Sequence, residues 1–395
     1  MIFVAASRDG GEIRYRDTKR HWWVLSTMTP LFPAFSALAL MLTGNPLFSV
    51  GALAFYFIFI PVLDMLVGED LTNPPEEIVE QMAEDPYYRR LLFVAAVTLW
   101  LNAIIVAGVL LTVSMPVWAV VLLVVATGVA TGSGLTVSHE LGHKQGKADQ
   151  WAAKLINALC GYAHFCIEHN RGHHLLVATP EDAASARMGD TIYTFAAREI
   201  PHVLVHGWQL ERARLAKKGL PALHWRNDLL QGYAITVFVA LLLVAIGGWV
   251  VLPFLLLHHA VAWLQLTQAN YVEHYGLKRE RKENGRYEAC QPHHSWNTNH
   301  IVSNLFLFHL QRHSDHHSNP QRPYQSLRNF DELPHLPSGY PGSFVLAAIP
   351  PLWHAIMDRK VYDWSAGDID KCNVRPDRQE IYAKRFAQWA NAKSA

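Results

Sequence analysis

Long apolar runs constrain the fold of this chain more than any other feature. A helix rises about 1.5 Å per residue, so crossing a hydrocarbon core of about 30 Å takes roughly twenty residues. Runs of that length lie at 24–42, 47–67, 91–113 and 116–138. A fifth run, from 229 to 269, is too long for one crossing; Gly247, Gly248 and Pro253 break it, dividing it into 230–247 and 249–269. Composition agrees: hydrophobic residues reach 51% and charged residues only 17%. A chain of 395 residues could hold two or three soluble domains, but apolar residues segregated in this way belong in lipid, where helices satisfy their own backbone. The expected fold is all-α: one polytopic membrane-embedded domain over 1–395, with six transmembrane helices.

The loops set the orientation, because arginine and lysine stay on the cytoplasmic side. Turns near Gly44, Met115 and Gly248 carry no charge. Basic residues appear in the amino-terminal tail (Arg8, Arg14, Arg16, Lys19, Arg20), at Arg89 and Arg90, through Lys144 to Arg226, and after Lys278. That tail is expected to be retained, because its apolar run is long and no small-residue cleavage pattern follows it. Both termini and the regions 139–228 and 270–395 are therefore expected to be cytoplasmic, the latter closing as a helical cap.

Those two regions hold the chemistry. Among 22 histidines, three clusters share one grammar: H-E-L-G-H at His139 and His143, H-N-R-G-H-H at His169, His173 and His174, and L-Q-R-H-S-D-H-H at His313, His316 and His317. His274, in N-Y-V-E-H-Y-G-L, is a ninth candidate. A lone histidine such as His164, His206 or His354 reads as structural, but repeated i, i+3 and i+4 spacing is what chelation from helices demands. Eight or nine imidazoles exceed what one ion can use, so the pattern points to two metals. Neutral ligands leave two dications uncompensated, and carboxylates that accept the free ring N–H can answer that. Glu140, Glu168, Asp182, Asp190, Glu273 and Asp315 are the candidates.

Other features point to packing or to absences. The glycines of Gly128-Val-Ala-Thr-Gly132 have the spacing of close helix packing in lipid, and Gly132-Ser-Gly134 lacks the third glycine of a dinucleotide fingerprint. His258 and His259 fall inside the sixth run, where ionisable groups either hydrogen-bond within the bundle or serve function. The apolar run 301–307 is too short to span and reads as the start of the helix carrying 310–317. The four cysteines form no C-x-x-C pair, so they offer no iron–sulfur or rubredoxin-type site. A net charge of +1 with no basic stripe gives no nucleic-acid partner.

The three clusters resemble the integral-membrane fatty acid desaturase and hydroxylase superfamily. With N-Y-V-E-H-Y-G-L, and with G-E-D-L-T-N-P-P-E-E at 68–77, the fuller strings resemble the bacterial membrane alkane 1-monooxygenases over 45–364. The resemblance implies that the nine histidines ligate two iron ions, with no other cofactor bound. It implies terminal hydroxylation of medium-chain n-alkanes to primary alcohols in the bacterial inner membrane, using dioxygen and two electrons. The donor it implies is rubredoxin, reduced by an NADH-dependent rubredoxin reductase, and Arg212, Arg214, Lys217, Lys218, Lys278, Arg279, Arg281 and Lys282 offer basic runs to receive it. Phe55, first choice in the aromatic cluster 55–59, is expected to narrow a tunnel entered from the membrane. The alternatives are an acyl-chain desaturase or hydroxylase, a xylene-type side-chain monooxygenase, a histidine-rich transporter and, because H-E-L-G-H matches the zincin pattern, an intramembrane zinc protease.

Overall fold

The structure, a computed structural model, describes residues 1–7 and 10–394; Arg8 of the expected basic tail lies outside the described residues. After a two-stranded antiparallel hairpin, Phe3–Ala6 with Glu12–Tyr15, the segments that carry the nine candidate histidines are helices or their caps. Among the described residues, five helices are long and apolar enough to cross a membrane: α1 Val24–Thr43, α2 Pro46–Val67, α3 Pro86–Thr112, α4 Val117–Gly142 and, after the polar helix α5 Ile192–Ala216, α6 Asp228–Gly247. The chain is thus a multi-pass membrane protein.

The expected bounds shift at the caps. The third run begins five residues earlier, where Asp85 accepts from the Tyr87 N–H and Pro86 takes the first helical position. The fourth runs on to Gly142, carrying His139 beyond the apolar stretch. The sixth run becomes α7, Val251–His274, which starts after the left-handed Gly248 at φ 75°. It is 24 residues long, yet His258, Gln265, Glu273 and His274 are buried in it, so its polar side is satisfied by protein rather than lipid.

Helices α4 and α7 form the spine of the bundle. A Cβ on Gly128 would stand 2.8 Å from the His258 carbonyl oxygen, and one on Gly132 only 2.7 Å from that of Ala262. The small-residue spacing thus does what its pattern implies. Beside it, the His258 ring approaches Thr131 Oγ1 at 2.9 Å and His259 Nδ1 at 3.1 Å, hydrogen bonding within the bundle.

The connections fold over one end of this spine. The loop 68–85 between α2 and α3 holds the third histidine motif: the Arg312 guanidinium donates to the carbonyls of Thr72 and Leu327 at 3.1 and 2.8 Å. Glu76 accepts from Arg322 and Arg328. The amino-terminal tail joins the same face through Lys19, 2.6 Å from Asp70. The run 301–307 does not continue into 310–317. Its helix, Ile301–Phe306, stops at Phe308 and His309, both at positive φ (48° and 54°), and a new helix starts at His313. Pro350 and Pro351 likewise separate the helices Tyr340–Ala347 and Pro350–Trp364.

Candidate metal centre

All nine candidate histidines converge where α4 and α7 end. They fall into two groups, each able to offer ligand atoms within 4.8 Å of one another: His139, His143, His169, His174 and His316 in one, His173, His274, His313 and His317 in the other. Two local structures make this possible. Residues His169–His173 form a π-helical turn, and the wider turn brings His169 and His174, five apart, to the same side; their Nε2 atoms are 3.0 Å apart. His173 points to the other group. In the short helix His313–Ser318, His313 and His317 face one group while His316 reaches the other, 3.2 Å from His174. The three share a face, as their spacing implies, but that face is split between two centres.

The donor set fits divalent metal. Eight of the nine imidazoles, all but His169, have at least one buried ring nitrogen without a hydrogen-bond partner, and both nitrogens of His139 are orphaned. On His139, His143, His173 and His274 the orphan includes Nε2, whose lone pair a cation can take, while His169, His174, His313, His316 and His317 bring Nε2 atoms within 2.8–3.2 Å of one another; a buried polar atom left unanswered costs about 1–3 kcal/mol. Burial and the neighbouring rings hold His169, His174, His313, His316 and His317 far below the usual imidazole range, and burial brings His143 down to about 4. They are neutral, the form that ligates.

The carboxylates divide. Asp182 faces His173, Oδ2 to Nδ1 at 2.9 Å, and is itself held by Ser185 at 2.6 Å. Burial works against both charges, but their pairing prevails, raising His173 and lowering Asp182. Glu273 lies 3.2 Å from His313 Nε2 and accepts from the Tyr340 hydroxyl at 2.8 Å. Glu140 is 4.0 Å from His139 Nδ1 and accepts from the Tyr324 N–H instead. The other three turn away. Glu168 pairs with His206 at 3.0 Å. Asp190 meets Arg198 and the Arg187 N–H, and Asp315 meets Arg322, Asn319 and the Arg328 N–H. Each is consumed by a nearer cation or amide.

Sequence reasoning missed the His294 carbonyl, 3.2 Å from His274 Nδ1, because a backbone acceptor leaves no trace in side-chain patterns. A third group, Glu288, His293 and His294, is close enough to hold an ion. There the Gln291 N–H donates to His294 Nδ1 at 2.9 Å, so the ring proton sits on Nε2, facing Glu288 at 3.2 Å. That tautomer is spent on hydrogen bonds.

A largely apolar cavity leads from the histidines into the bundle. His139, His169 and His313 stand at its polar end; Tyr56, Phe57, Ile60, Val129, Leu266 and Phe306 line its apolar length. Phe55 is not on that wall. Its ring stacks on Phe32 with centroids 3.5 Å apart and lies 5.8 Å from Phe306, whose other side faces the cavity. Of the basic runs, Arg279 is buried, donating to the carbonyls of Leu175 and Glu288. Arg212, Lys217, Lys218, Arg281 and Lys282 are exposed.

Comparison with known proteins gives the lineage. Residues 116–342 match the family described as fatty acid desaturase. The chain is 46% identical to an alkane 1-monooxygenase of Pseudomonas putida, over 94% of this chain and 92% of that protein. An alkane 1-monooxygenase of Ectopseudomonas oleovorans is 45% identical over 94% of this chain and 93% of its own length. The xylene/toluene monooxygenase hydroxylase component of Pseudomonas putida is more distant, 28% identical over 65% of this chain and 67% of its own. Convergent histidines at the end of a helical membrane bundle and near-complete coverage at such identity agree: the chain belongs to the alkane 1-monooxygenase family, within the fatty acid desaturase group.

Proposed function

We propose that this enzyme hydroxylates the terminal methyl of medium-chain n-alkanes at two iron ions held by the nine histidines. The observation that carries the reading is the meeting of two imidazole groups with the end of an apolar cavity. Iron bound there supplies the activation of dioxygen and the oxidising power that an unactivated C–H bond requires.

The chain's own residues bind, orient and exclude water. An alkane has no polar handle, so Tyr56, Phe57, Ile60 and Phe306 select it by shape and burial, at about 0.8 kcal/mol per methylene. A negatively charged acyl headgroup would call for a cationic pocket; the cavity lining includes no lysine or arginine. His139, His169 and His313 mark the end at which the methyl stops. Asp182 and Glu273 fix ring orientation and offset the metal charge. Phe55, behind Phe306, acts on chain length by setting how far that ring can retreat.

The whole chain works as one membrane-embedded catalytic unit of six spans in the bacterial inner membrane, with termini and site cytoplasmic. Electrons come from rubredoxin, reduced by its NADH-dependent reductase and received at the exposed cations Arg212, Lys217, Lys218, Arg281 and Lys282. Buried Arg279 plays no part in that docking.

The test is turnover by purified protein with octane, air, rubredoxin, its reductase and NADH, with iron measured in parallel. About two iron ions per chain and 1-octanol are expected, with a KM for rubredoxin that rises with ionic strength as steering is screened. Active protein holding one zinc and no iron would refute the metal assignment.

A further inference from the structure

A second, smaller cavity adjoins the centre on the side of α5, with room for roughly one water. Its wall is polar: His164, Glu168, Glu199 and Asn270 meet there beside His169 and His173. Phe165, His169, Leu266 and Asn270 line both this cavity and the apolar one, so the two adjoin through a shared wall.

Two of these groups have no task in the site described above. Glu199 is fully buried on α5, its Oε2 accepting from Thr267 Oγ1 at 2.6 Å and its Oε1 from Asn270 Nδ2 at 2.7 Å. Burial, helped by the nearby acids Glu168 and Asp182, pushes its carboxyl up to about 7 against those two hydrogen bonds. His164 is also fully buried; its Nδ1 lies 2.7 Å from the Tyr233 hydroxyl, and its Nε2 has no partner. When that phenol donates to Nδ1, Nε2 carries the ring proton. The titratable groups around Glu199 are Tyr162, His164, Glu168, His169 and His173 from 162–173 and Asp182 beyond them, while α7 supplies the uncharged Thr267 and Asn270.

The reaction creates a demand for protons. Inserting one oxygen atom of O2 into a C–H bond sends the other to water and consumes two electrons from the donor protein and two protons from solvent. An apolar cavity filled by an alkane cannot conduct them. We propose that the small cavity is the proton entry of the centre: Glu199 passes protons through a cavity water toward dioxygen reduction, and His164 orients that water. This rests on the oxygenase reading above. Glu199 is reloaded from solvent between turnovers, so its carboxyl cycles without net change.

The test uses full-length protein with Glu199→Gln and Thr267→Val. In Glu199→Gln, iron content and melting temperature should stay at the wild-type level while alcohol formation falls by about 10²-fold or more. Electrons consumed per alcohol should rise, with hydrogen peroxide released. Thr267→Val removes a hydrogen bond that lowers the Glu199 carboxyl, so the pH limb of kcat near 7 should move to higher pH with KM unchanged. Infrared titration of the iron-free protein reads the same group without turnover. A protonated carboxyl band that titrates near pH 7 should be lost in Glu199→Gln and shifted upward in Thr267→Val. Coupled turnover with a wild-type pH profile in Glu199→Gln would overturn the proposal, as would iron loss in proportion to activity, which would make Glu199 a structural support. Failure of the wild type to oxidise alkanes would instead sink the oxygenase reading, while the infrared band still reports on Glu199.

Discussion

At the scale of single residues, the convergence of the histidines was legible in their repeated i, i+3 and i+4 spacing, which ordinary packing does not impose. Their carboxylate partners were not legible, because proximity in sequence does not say which acid a ring will meet. Asp182 lies nine residues from His173 and touches it, whereas Asp315 sits between His313 and His316 and turns to Arg322. A contrast of asparagine variants tests this division. Asp182→Asn should weaken iron binding by roughly 10- to 100-fold, the usual effect of losing a carboxylate behind a ligating histidine. Asp190→Asn, whose carboxylate serves Arg198 and the Arg187 N–H, should leave iron content unchanged. The clustered histidines separate from isolated ones in the same assay. His316→Ala should abolish alcohol formation and lower bound iron, while His354→Ala, which loses a contact with the Tyr275 hydroxyl, should keep most of both. Equal loss in the two would mean that folding, not ligation, is being read.

At the scale of elements, apolar run length was enough to find α1 to α4 and α6, and small-residue spacing marked a packing face on α4 without naming α7 as its partner. The π turn at His169–His173 was hidden, because a change of hydrogen-bond register leaves residue types untouched. The break between Ile301–Phe306 and His313–Ser318 was hidden too, since Phe308 and His309 give no local reason to adopt positive φ; packing imposes it. The α4–α7 contact is the element most open to test. Gly132→Val would set its Cβ against the Ala262 carbonyl and the Gln265 Cβ, both 2.7 Å away, so the helices must part. The expected cost is about 1–3 kcal/mol, read as a lowered melting temperature in detergent. Gly108→Ala on α3, where nothing stands within 4 Å, should change stability by less than about 0.5 kcal/mol.

For the whole molecule, the charge-free turns at Gly44, Met115 and Gly248 stand opposite the face where the tail, the loop 68–85 and the histidine segments meet. Reporter fusions after Gly44, Met115 and Gly248 should therefore read as external, and fusions after Arg90 and Lys218 as cytoplasmic. The sixth crossing was read from length alone, yet α7 lacks the apolar character of the other five because its buried face carries part of the site. A reporter after Gly248 on the cytoplasmic side would refute that crossing. The order in which the ligands occur along the chain has a consequence for how the enzyme is made. When the ribosome has delivered His174, the first group has four of its five histidines, but the second has only His173. Neither closes until the short helix His313–Ser318 has emerged, after every membrane helix has been inserted. On the diiron reading proposed above, metal loading follows insertion of the membrane helices, so cells starved of iron should accumulate a fully inserted, protease-sensitive apoprotein that iron can rescue without new synthesis.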